Sequence, residues 1–336
     1  MGFKSEKQTV REFQAALQAG GEAGALRAMS RFCAPDLLWR GYHPFNQLHG
    51  PEEVARTFWA PLAHAFTALH RRQDVFMAGR NQMDGFASVW VVSMGHLVGL
   101  FDQPWLGIGP TGRMAFLRYC EFSKVEGDRI AETAMFFDIP HLMMQCGMRP
   151  FEGQAGAHLV QPGPATHDGL MFEDRPPEEG EATLAAINAM ISDLGTWQSG
   201  LPLEEELART WHDDMVWWGP AGIGACFTIA RYAKQHSGPF REAFQSRTFN
   251  GHVAKLAEGS YGGFFGWPNL TLENKGGFMG MPATGRSGDM RVIDIYRREG
   301  TKLAENWIFI DLLHFWNMQG VDILARSIQL GRGGLG

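Results

Sequence analysis

The sequence predicts an α+β protein built from two tandem domains, and three observations carry that prediction. One passage occurs twice, and each occurrence closes on an apolar run followed by an aspartate. Within each copy, segments of helical period come first and β-like runs joined by tight turns follow. That order is the mark of helices set against an antiparallel sheet. Between the copies lies a Pro- and Gly-rich stretch in which no apolar period survives.

The duplication is gapless where it is strongest. G-D-R-I-A-E-T-A-M-F-F-D-I-P-H-L-M-M-Q-C-G (127–147) aligns with G-T-K-L-A-E-N-W-I-F-I-D-L-L-H-F-W-N-M-Q-G (300–320). Glu132 falls on Glu305, Asp138 on Asp311, His141 on His314 and Gly147 on Gly320, all 173 residues apart. G-I-G-P-T-G-R (107–113) and G-M-P-A-T-G-R (280–286) keep that spacing. Further upstream the spacing becomes 178, for D-L-L-W-R-G (36–41) against D-M-V-W-W-G (214–219), and for Pro61, Ala65 and Phe66 against Pro239, Ala243 and Phe244. A repeat this long implies two copies of one structural unit. The change in spacing places a net insertion in the first copy before Gly107, assigned here to F-D-Q-P-W-L. The boundaries that follow are 1–148 for domain one, 149–180 for the linker and 181–330 for domain two, each domain of ordinary size.

Each element has its own signal. Val10, Phe13, Leu17, Leu26 and Met29 give residues 5–30 a helical apolar face, interrupted at Gly20, Gly21 and Gly24. Pro51 followed by Glu52 and Glu53 is a helix start, and the run continues to about residue 70 with Pro61 bending or splitting it. Runs near 73–80, 86–101, 113–126 and 129–139 are β-like. Pro150, Pro162, Pro164, Pro176 and Pro177 mark the linker. The second copy opens near Glu181 with L-A-A-I-N-A-M-I.

Alternation along the last strand sorts its residues into two faces. Glu305, Trp307, Phe309 and Asp311 share one, and Asn306, Ile308 and Ile310 the other. In the first copy the sets are Glu132, Ala134, Phe136 and Asp138 against Thr133, Met135, Phe137 and Ile139. Both faces are largely apolar, so both are covered. The expectation is that helices cover the aspartate face, and that Met135, Phe137, Ile308 and Ile310 pack sheet against sheet, making the chain a covalent pseudo-dimer.

Composition narrows the function. The chain of 336 residues is 45% hydrophobic and 20% charged, as in ordinary globular proteins. A net charge of −6 without a basic stripe argues against nucleic acid as a partner. No apolar run reaches membrane-spanning length. The N-terminus lacks the apolar stretch of a signal peptide, and Cys33, Cys120, Cys146 and Cys226 form no C-x-x-C pair, so a cytoplasmic location with reduced thiols is predicted. No H-E-x-x-H or other metal spacing, no G-x-S-x-G elbow and no βαβ-linked glycine loop occurs, so neither metal nor cofactor is expected. Eleven Trp and 24 Phe supply large cores or a pocket for a flat apolar ligand.

Asp138 and Asp311 have two readings. An aspartate among aromatic side chains is desolvated and suited to acid or base work near neutral pH. An aspartate ahead of an apolar helical run is also a favoured N-cap. His141 and His314, three residues on, return to the same side if the chain turns helical. Glu121 and Asp294 are reserve carboxylates, with Arg118 and Arg291 as their expected structural partners.

These blocks resemble the SnoaL-like polyketide cyclase family of the nuclear transport factor two-like superfamily. The resemblance rests on G-x-x-P-T-G-R, a strand ending in E-x-W-x-x-x-D, and a short apolar turn closing on Q-x-G. It covers about 30–147 and 205–321. It implies two tandem cone-shaped α+β barrels, each a curved antiparallel sheet with helices on its concave side. It also implies metal-free, cofactor-free acid/base chemistry on Asp138 and Asp311, with His96 in S-M-G-H-L-V-G as a carbonyl-polarising histidine. The second copy has N-K-G-G and Lys275 near that position, and Ala134 stands in the first copy where Trp307 stands in the second. Trp39, His43, Trp90, Phe136 and His141 in the first copy, and Trp217, Trp307, Phe309 and His314 in the second, complete the expected pocket. The expected activity is a cofactor-independent cyclase or isomerase acting on an apolar, carbonyl-containing small molecule, with the first copy carrying the chemistry. A non-catalytic binding protein and a hydrolase whose aspartate activates water are the alternatives. Beyond the pseudo-dimer, a further homo-oligomer is compatible with the sequence.

Overall fold

The repeat in the sequence becomes a repeat of elements in the computed structural model, which describes residues 2–153, 155–196 and 200–332. The chain divides into two units. The first runs to Pro150 and takes in 165–174 and the chain from Leu324; the second comprises 151–164 and 175–323.

The first unit contains α1 (Lys4–Phe32), β1 (Cys33–Gly41), β2 (Gln47–His49), α2 (Gly50–Val54), α3 (Ala60–Ala65), β3 (Phe66–Arg80), β4 (Val89–Phe101), β5 (Met114–Glu126), β6 (Arg129–Phe137) and α4 (Ile139–Gln145). The chain then continues as α5 (Pro177–Thr196), α6 (Leu203–Ala208), β7 (Trp211–Trp218), β8 (Cys226–Phe227), α7 (Ile229–Tyr232), α8 (Gly238–Ala243), β9 (Phe244–Phe249), β10 (Ala254–Glu258), β11 (Tyr261–Asn274), β12 (Ser287–Glu299), β13 (Lys302–Ile310), α9 (Leu312–Met318) and α10 (Ile323–Arg332). No helix among the described residues is long and apolar enough to cross a membrane.

Each unit is built on one curved, open sheet. The strand orders are β2-β1-β6-β5-β4-β3 and β10-β11-β12-β13-β7-β8, with β9 also on β11. The sheets are mixed rather than purely antiparallel, because β1 runs parallel to β6 and β7 parallel to β13. Each parallel pair joins the first and last long strands of its unit. The intervening chain is long enough for the crossover that parallel pairing needs.

The prolines shape the helices as their chemistry dictates. Pro61 has no N–H for the helix ladder. The turn before it widens into a π-turn, Ala55–Trp59, in which the Ala60 N–H donates to Ala55 O. The second copy repeats this before Pro239, with a π-turn at Ala233–Ser237 and the Gly238 N–H on Ala233 O. The helical run expected to reach residue 70 ends at Ala65, where β3 begins.

The stretch assigned to the linker makes backbone pairs, and two further expectations are corrected. Phe76 N–H donates to Gly169 O and Met171 N–H to Phe76 O, while Ala157 and Ala225 exchange backbone bonds at 2.8 and 2.9 Å. These segments satisfy exposed strand edges, which would otherwise leave backbone groups unpaired. From Pro177 the chain is already helical. The insertion in the first copy is not at F-D-Q-P-W-L. It lies in the long turn 81–88 between β3 and β4, which faces the two-residue turn 259–260 of the second copy. A bulge between Gly266 and Leu270 offsets part of the difference.

The second correction concerns the faces of the last strand. Phe137 stacks on Phe58, from the helical layer of its own unit, at 4.8 Å. Ile308 and Ile310 line a cavity together with residues of α5, α7 and α8. The face expected to meet another sheet is therefore the one under the helices. Both faces are apolar, so alternation separated them without showing which the helices cover.

Candidate functional site

Alternation on β12 sends Met290, Val292, Asp294 and Tyr296 to one side, and β13 adds Asn306, Ile308 and Ile310. With Met190 and Ile191 of α5, Trp217 of β7 and Tyr232, His236 and Phe240 opposite, they enclose a cavity of about 400 Å³ in the second unit. Most of the lining surface is apolar, as in small-molecule sites, and its polar groups include Asp294, Asn306, Asn269, His236 and His252.

Asp294 is buried within that wall. Asn306 Nδ2 donates to Asp294 Oδ1 at 3.0 Å and to Ile295 O at 3.0 Å. The Tyr296 hydroxyl hydrogen-bonds the same carboxylate, and its pKa is pushed well above the usual phenol value by burial and by the charge of Asp294. Tyr232 is raised by the same two causes. Both phenols therefore remain protonated at neutral pH.

His236 sits in the second π-turn with its ring stacked on Trp217 at 4.1 Å. Burial pushes its pKa down to about 3, and its Nδ1 is buried without a hydrogen-bond partner among the described residues. Two arginines stand at the rim. Arg241 pairs with Glu206, and Arg247 donates to Leu194 O at 3.1 Å and Gly195 O at 2.7 Å, holding the end of α5.

The corresponding region of the first unit is filled. Arg71 lies opposite Leu97 as Phe249 lies opposite Leu270, and Ser93 lies opposite Glu121 as Phe264 lies opposite Asp294. Tyr119 and Val292, like Phe137 and Ile310, are 173 residues apart. Arg71 Nη1 is 3.0 Å from Glu121 Oε2, and Gln14 Nε2 donates to the same oxygen at 3.0 Å. Gln73 links Gln14 to Ser93, which bonds Tyr119 at 2.8 Å. Phe58 takes the place of His236 in its π-turn and packs on Trp39, Phe45 and Phe137 at 5.1, 5.2 and 4.8 Å. A smaller cavity of about 280 Å³ opens beside the kink of α1 and reaches Arg71.

The residues singled out from the sequence fall elsewhere for the most part. Asp138 and Asp311 are buried N-caps of α4 and α9, accepting the His141 and His314 N–H groups at 3.0 and 3.1 Å. Asp311 Oδ2 also lies 3.5 Å from Arg291 Nη1, and that guanidinium sits 3.9 Å over the Trp267 ring. None of Asp138, Asp311, His141 and His314 lines either cavity just described. His96 is buried on the face of β4 away from Leu97, with Nδ1 3.5 Å from Asp74 Oδ2 and its ring edge-on to Phe116. Lys275 lies just past the end of β11.

Trp39 belongs to the ring cluster, Phe136 packs on Tyr42 at 6.2 Å, and the Trp90 indole N–H donates to Ser88. His43 precedes a cis proline ahead of β2. The Trp307 indole donates to Pro162 O, and Phe309 shares its face, turned from the cavity. Trp217 alone of these named residues lines the larger cavity. The reserve carboxylates also change partners: Glu121 pairs with Arg71, and Arg291 with Asp311. His236, Tyr232, Tyr296 and Asn306 carry no motif. The available signal for His236 was its alignment with Phe58.

The motifs shared by both copies make structural bonds. Gly112 and Gly285 of the T-G-R turns both have φ near +60°, a conformation that glycine adopts without steric cost. Gln145 grips the Phe116 backbone through both ends of its amide, and Gln319 bonds Thr284 of the T-G-R turn.

Fold and cavity together define a tandem pair of α+β cone folds, one of them holding a helix-covered cavity. The comparisons agree. Residues 10–133 match the family profile of the SnoaL-like domain, and residues 270–317 match that of the SnoaL-like polyketide cyclase. The chain carries a SnoaL-like domain in two copies. Among curated proteins none matches it. Solved structures similar to it include a SnoaL-like protein from Jannaschia sp. CCS1, with 19% identity, 43% of this chain and 92% of that one covered, and a TM-score of 0.35. An NTF2-like protein from Burkholderia xenovorans LB400 shares 15% identity, with 44% and 97% covered and a TM-score of 0.33. IdmH from Streptomyces antibioticus shares 19%, with 40% and 98% covered and a TM-score of 0.32.

Proposed function

We propose that the second unit is the active half, and that it acts as a cofactor-independent cyclase or isomerase on an apolar, carbonyl-containing small molecule. The observation that carries this reading is Asp294, a carboxylate set in an apolar cavity and oriented by Asn306 and Tyr296. A carboxylate in that setting takes the proton alpha to a carbonyl, and the surrounding rings exclude the water that would compete. The match to the polyketide cyclase profile across 270–317 supports a cyclase-like second unit; that stretch contains both Asp294 and Asp311, and the choice between them rests on the cavity. The chemistry thus moves from Asp138 and Asp311 to Asp294, and from the first copy to the second.

Asn306 beside Asp294 also favours a second reading, in which the pair binds and activates a water for hydrolysis. Exchange chemistry separates the two. In deuterated buffer, the wild-type protein is expected to speed exchange of the alpha protons of 2-tetralone. Asp294→Asn is expected to lower that rate by about a hundredfold or more, while Asp138→Asn and Asp311→Asn change it little. Exchange no faster than in buffer, or equal loss in all three variants, refutes Asp294 as the base. Incorporation of oxygen from ¹⁸O-labelled water into a turned-over ester, without alpha exchange, selects the hydrolytic reading.

A further inference from the structure

We propose that His236 is the residue that recognises the ligand's oxygen, forming a hydrogen bond from the helical wall of the second-unit cavity to a carbonyl or hydroxyl group on an otherwise apolar ring system. This rests on the reading of the cavity as a ligand site, but not on Asp294 acting as a base.

Position comes first. The two π-turns are the same device, set by Pro61 and Pro239, and the fourth residue of each points at the central rings of its unit. In the first unit that residue is Phe58, which lies 5.1 Å from Trp39 and 4.8 Å from Phe137 and fills the space. In the second it is His236, stacked at 4.1 Å on Trp217, the counterpart of Trp39. Ile310 replaces the ring of Phe137, and a cavity opens beside the imidazole.

Chemistry comes second. His236 is 7% exposed, is surrounded by Trp217, Tyr232, Phe240 and Phe278, and leaves Nδ1 without a partner among the described residues. A buried polar atom without a partner destabilises the fold, and a phenylalanine is demonstrably accommodated at this place in the other copy. Nδ1 has no exposed surface as the ring stands, and a ligand supplies the missing partner once the ring turns to bring that nitrogen to the cavity side. Burial holds the ring neutral, so one nitrogen donates and the other accepts. That suits an uncharged carbonyl or hydroxyl rather than a carboxylate. Removing such a site's oxygen partner, or the histidine, costs the selectivity between ligands that differ by that oxygen.

The test compares 2-naphthol with naphthalene, by equilibrium dialysis against wild type, His236→Phe and Asp294→Asn. Wild type and Asp294→Asn are expected to favour 2-naphthol, and His236→Phe to lose about fivefold of that preference while binding naphthalene at least as well. A second readout uses the wild type alone: the ring nitrogens of His236 should shift in long-range ¹H–¹⁵N spectra on adding 2-naphthol and stay in place with naphthalene. Binding of both compounds with no preference in wild type overturns the proposal and leaves the cavity reading standing. A preference kept in His236→Phe and lost in Asp294→Asn gives the oxygen to the aspartate and also overturns it. Binding of neither compound removes the cavity reading, and the proposal with it.

Discussion

His236 makes the stability of the second unit depend on pH in a predictable direction. Its pKa in the fold is about 3, against 6.5 for an ordinary histidine, because the buried ring cannot be charged cheaply. As pH falls below 6.5 the unfolded chain takes up this proton and the folded chain does not. The histidine's share of stability is therefore complete above the unfolded pKa and is lost progressively between about 6.5 and 3. With these two values, lowering the pH from 7 to 5 costs the second unit about 2 kcal/mol through this one group. His252, brought down to about 4 by burial and by Lys255, acts in the same direction. The informative quantity is hence the difference between wild type and His236→Phe, in which the other titrating groups cancel. Tandem units need not unfold together, so urea unfolding should be followed by hydrogen exchange in peptides from β12. Wild type should lose about 2 kcal/mol more than the variant between pH 7 and 5. Equal losses would refute a neutral, desolvated His236.

Two further predictions concern the first unit. Glu121→Gln leaves the buried guanidinium of Arg71 without its carboxylate and should destabilise this unit by about 3 kcal/mol, measured by urea unfolding with peptide-resolved exchange in β5; a loss below about 1 kcal/mol, the range of surface pairs, would show that the pair contributes little. Phe137→Ala removes the ring stacked on Phe58 and should cost the same unit about 3–5 kcal/mol, with protection of β12 unchanged; loss of protection in β12 to the same extent would contradict separate cores.

The repeat made the fold legible. Once 127–147 and 300–320 aligned, helices followed by strands had to occur twice, and the π-turns fall where Pro61 and Pro239 interrupt the ladder. The parallel pairing of β1 with β6 was not legible, because it is a contact between distant segments that no local pattern encodes. The backbone pairs of Ala157, Gly169 and Met171 were not legible for a related reason: Pro and Gly signal irregular backbone, but not whether a strand edge lies waiting for it. Some of the site was legible and was read wrongly. Arg118 and Glu121 are three residues apart, as are Arg291 and Asp294, and residues at odd spacing on a strand point to opposite faces. Alternation alone forbade the pairs assigned to them, and it is the structure that puts Glu121 beside Gln14 of α1 and Asp294 in the cavity wall. Asp138 and Asp311 showed both a catalytic and a capping pattern, and the local bonds to His141 and His314 satisfy the capping one. No motif marks His236, and its one signal in the sequence is the spacing of 178 that sets it against Phe58.

The two copies also indicate where function lies, through what they keep and what they change. Both keep the capping aspartates, the left-handed glycine of T-G-R and the π-turn before a proline. Each of these closes a helix end, a turn or a bend, so each is needed wherever this fold is built. The catalytic expectation for Asp138 and Asp311 rested on their aromatic surroundings and on the family resemblance, while repetition within one chain is first a sign of shared scaffold. The differences run in one direction. Arg71, Ser93 and Tyr119 of the first copy give way to Phe249, Phe264 and Val292, all lining the cavity of the second. At the same time Phe58 gives way to His236, and Phe137 to Ile310. One unit spends its interior on a neutralised carboxylate and stacked rings, which suits a rigid core. The other removes the network of Arg71, Ser93 and Tyr119, opens space and sets the imidazoles of His236 and His252 in the same cavity wall as Asp294, which raises the cost of leaving that space empty and the gain from filling it with a ring that carries an oxygen.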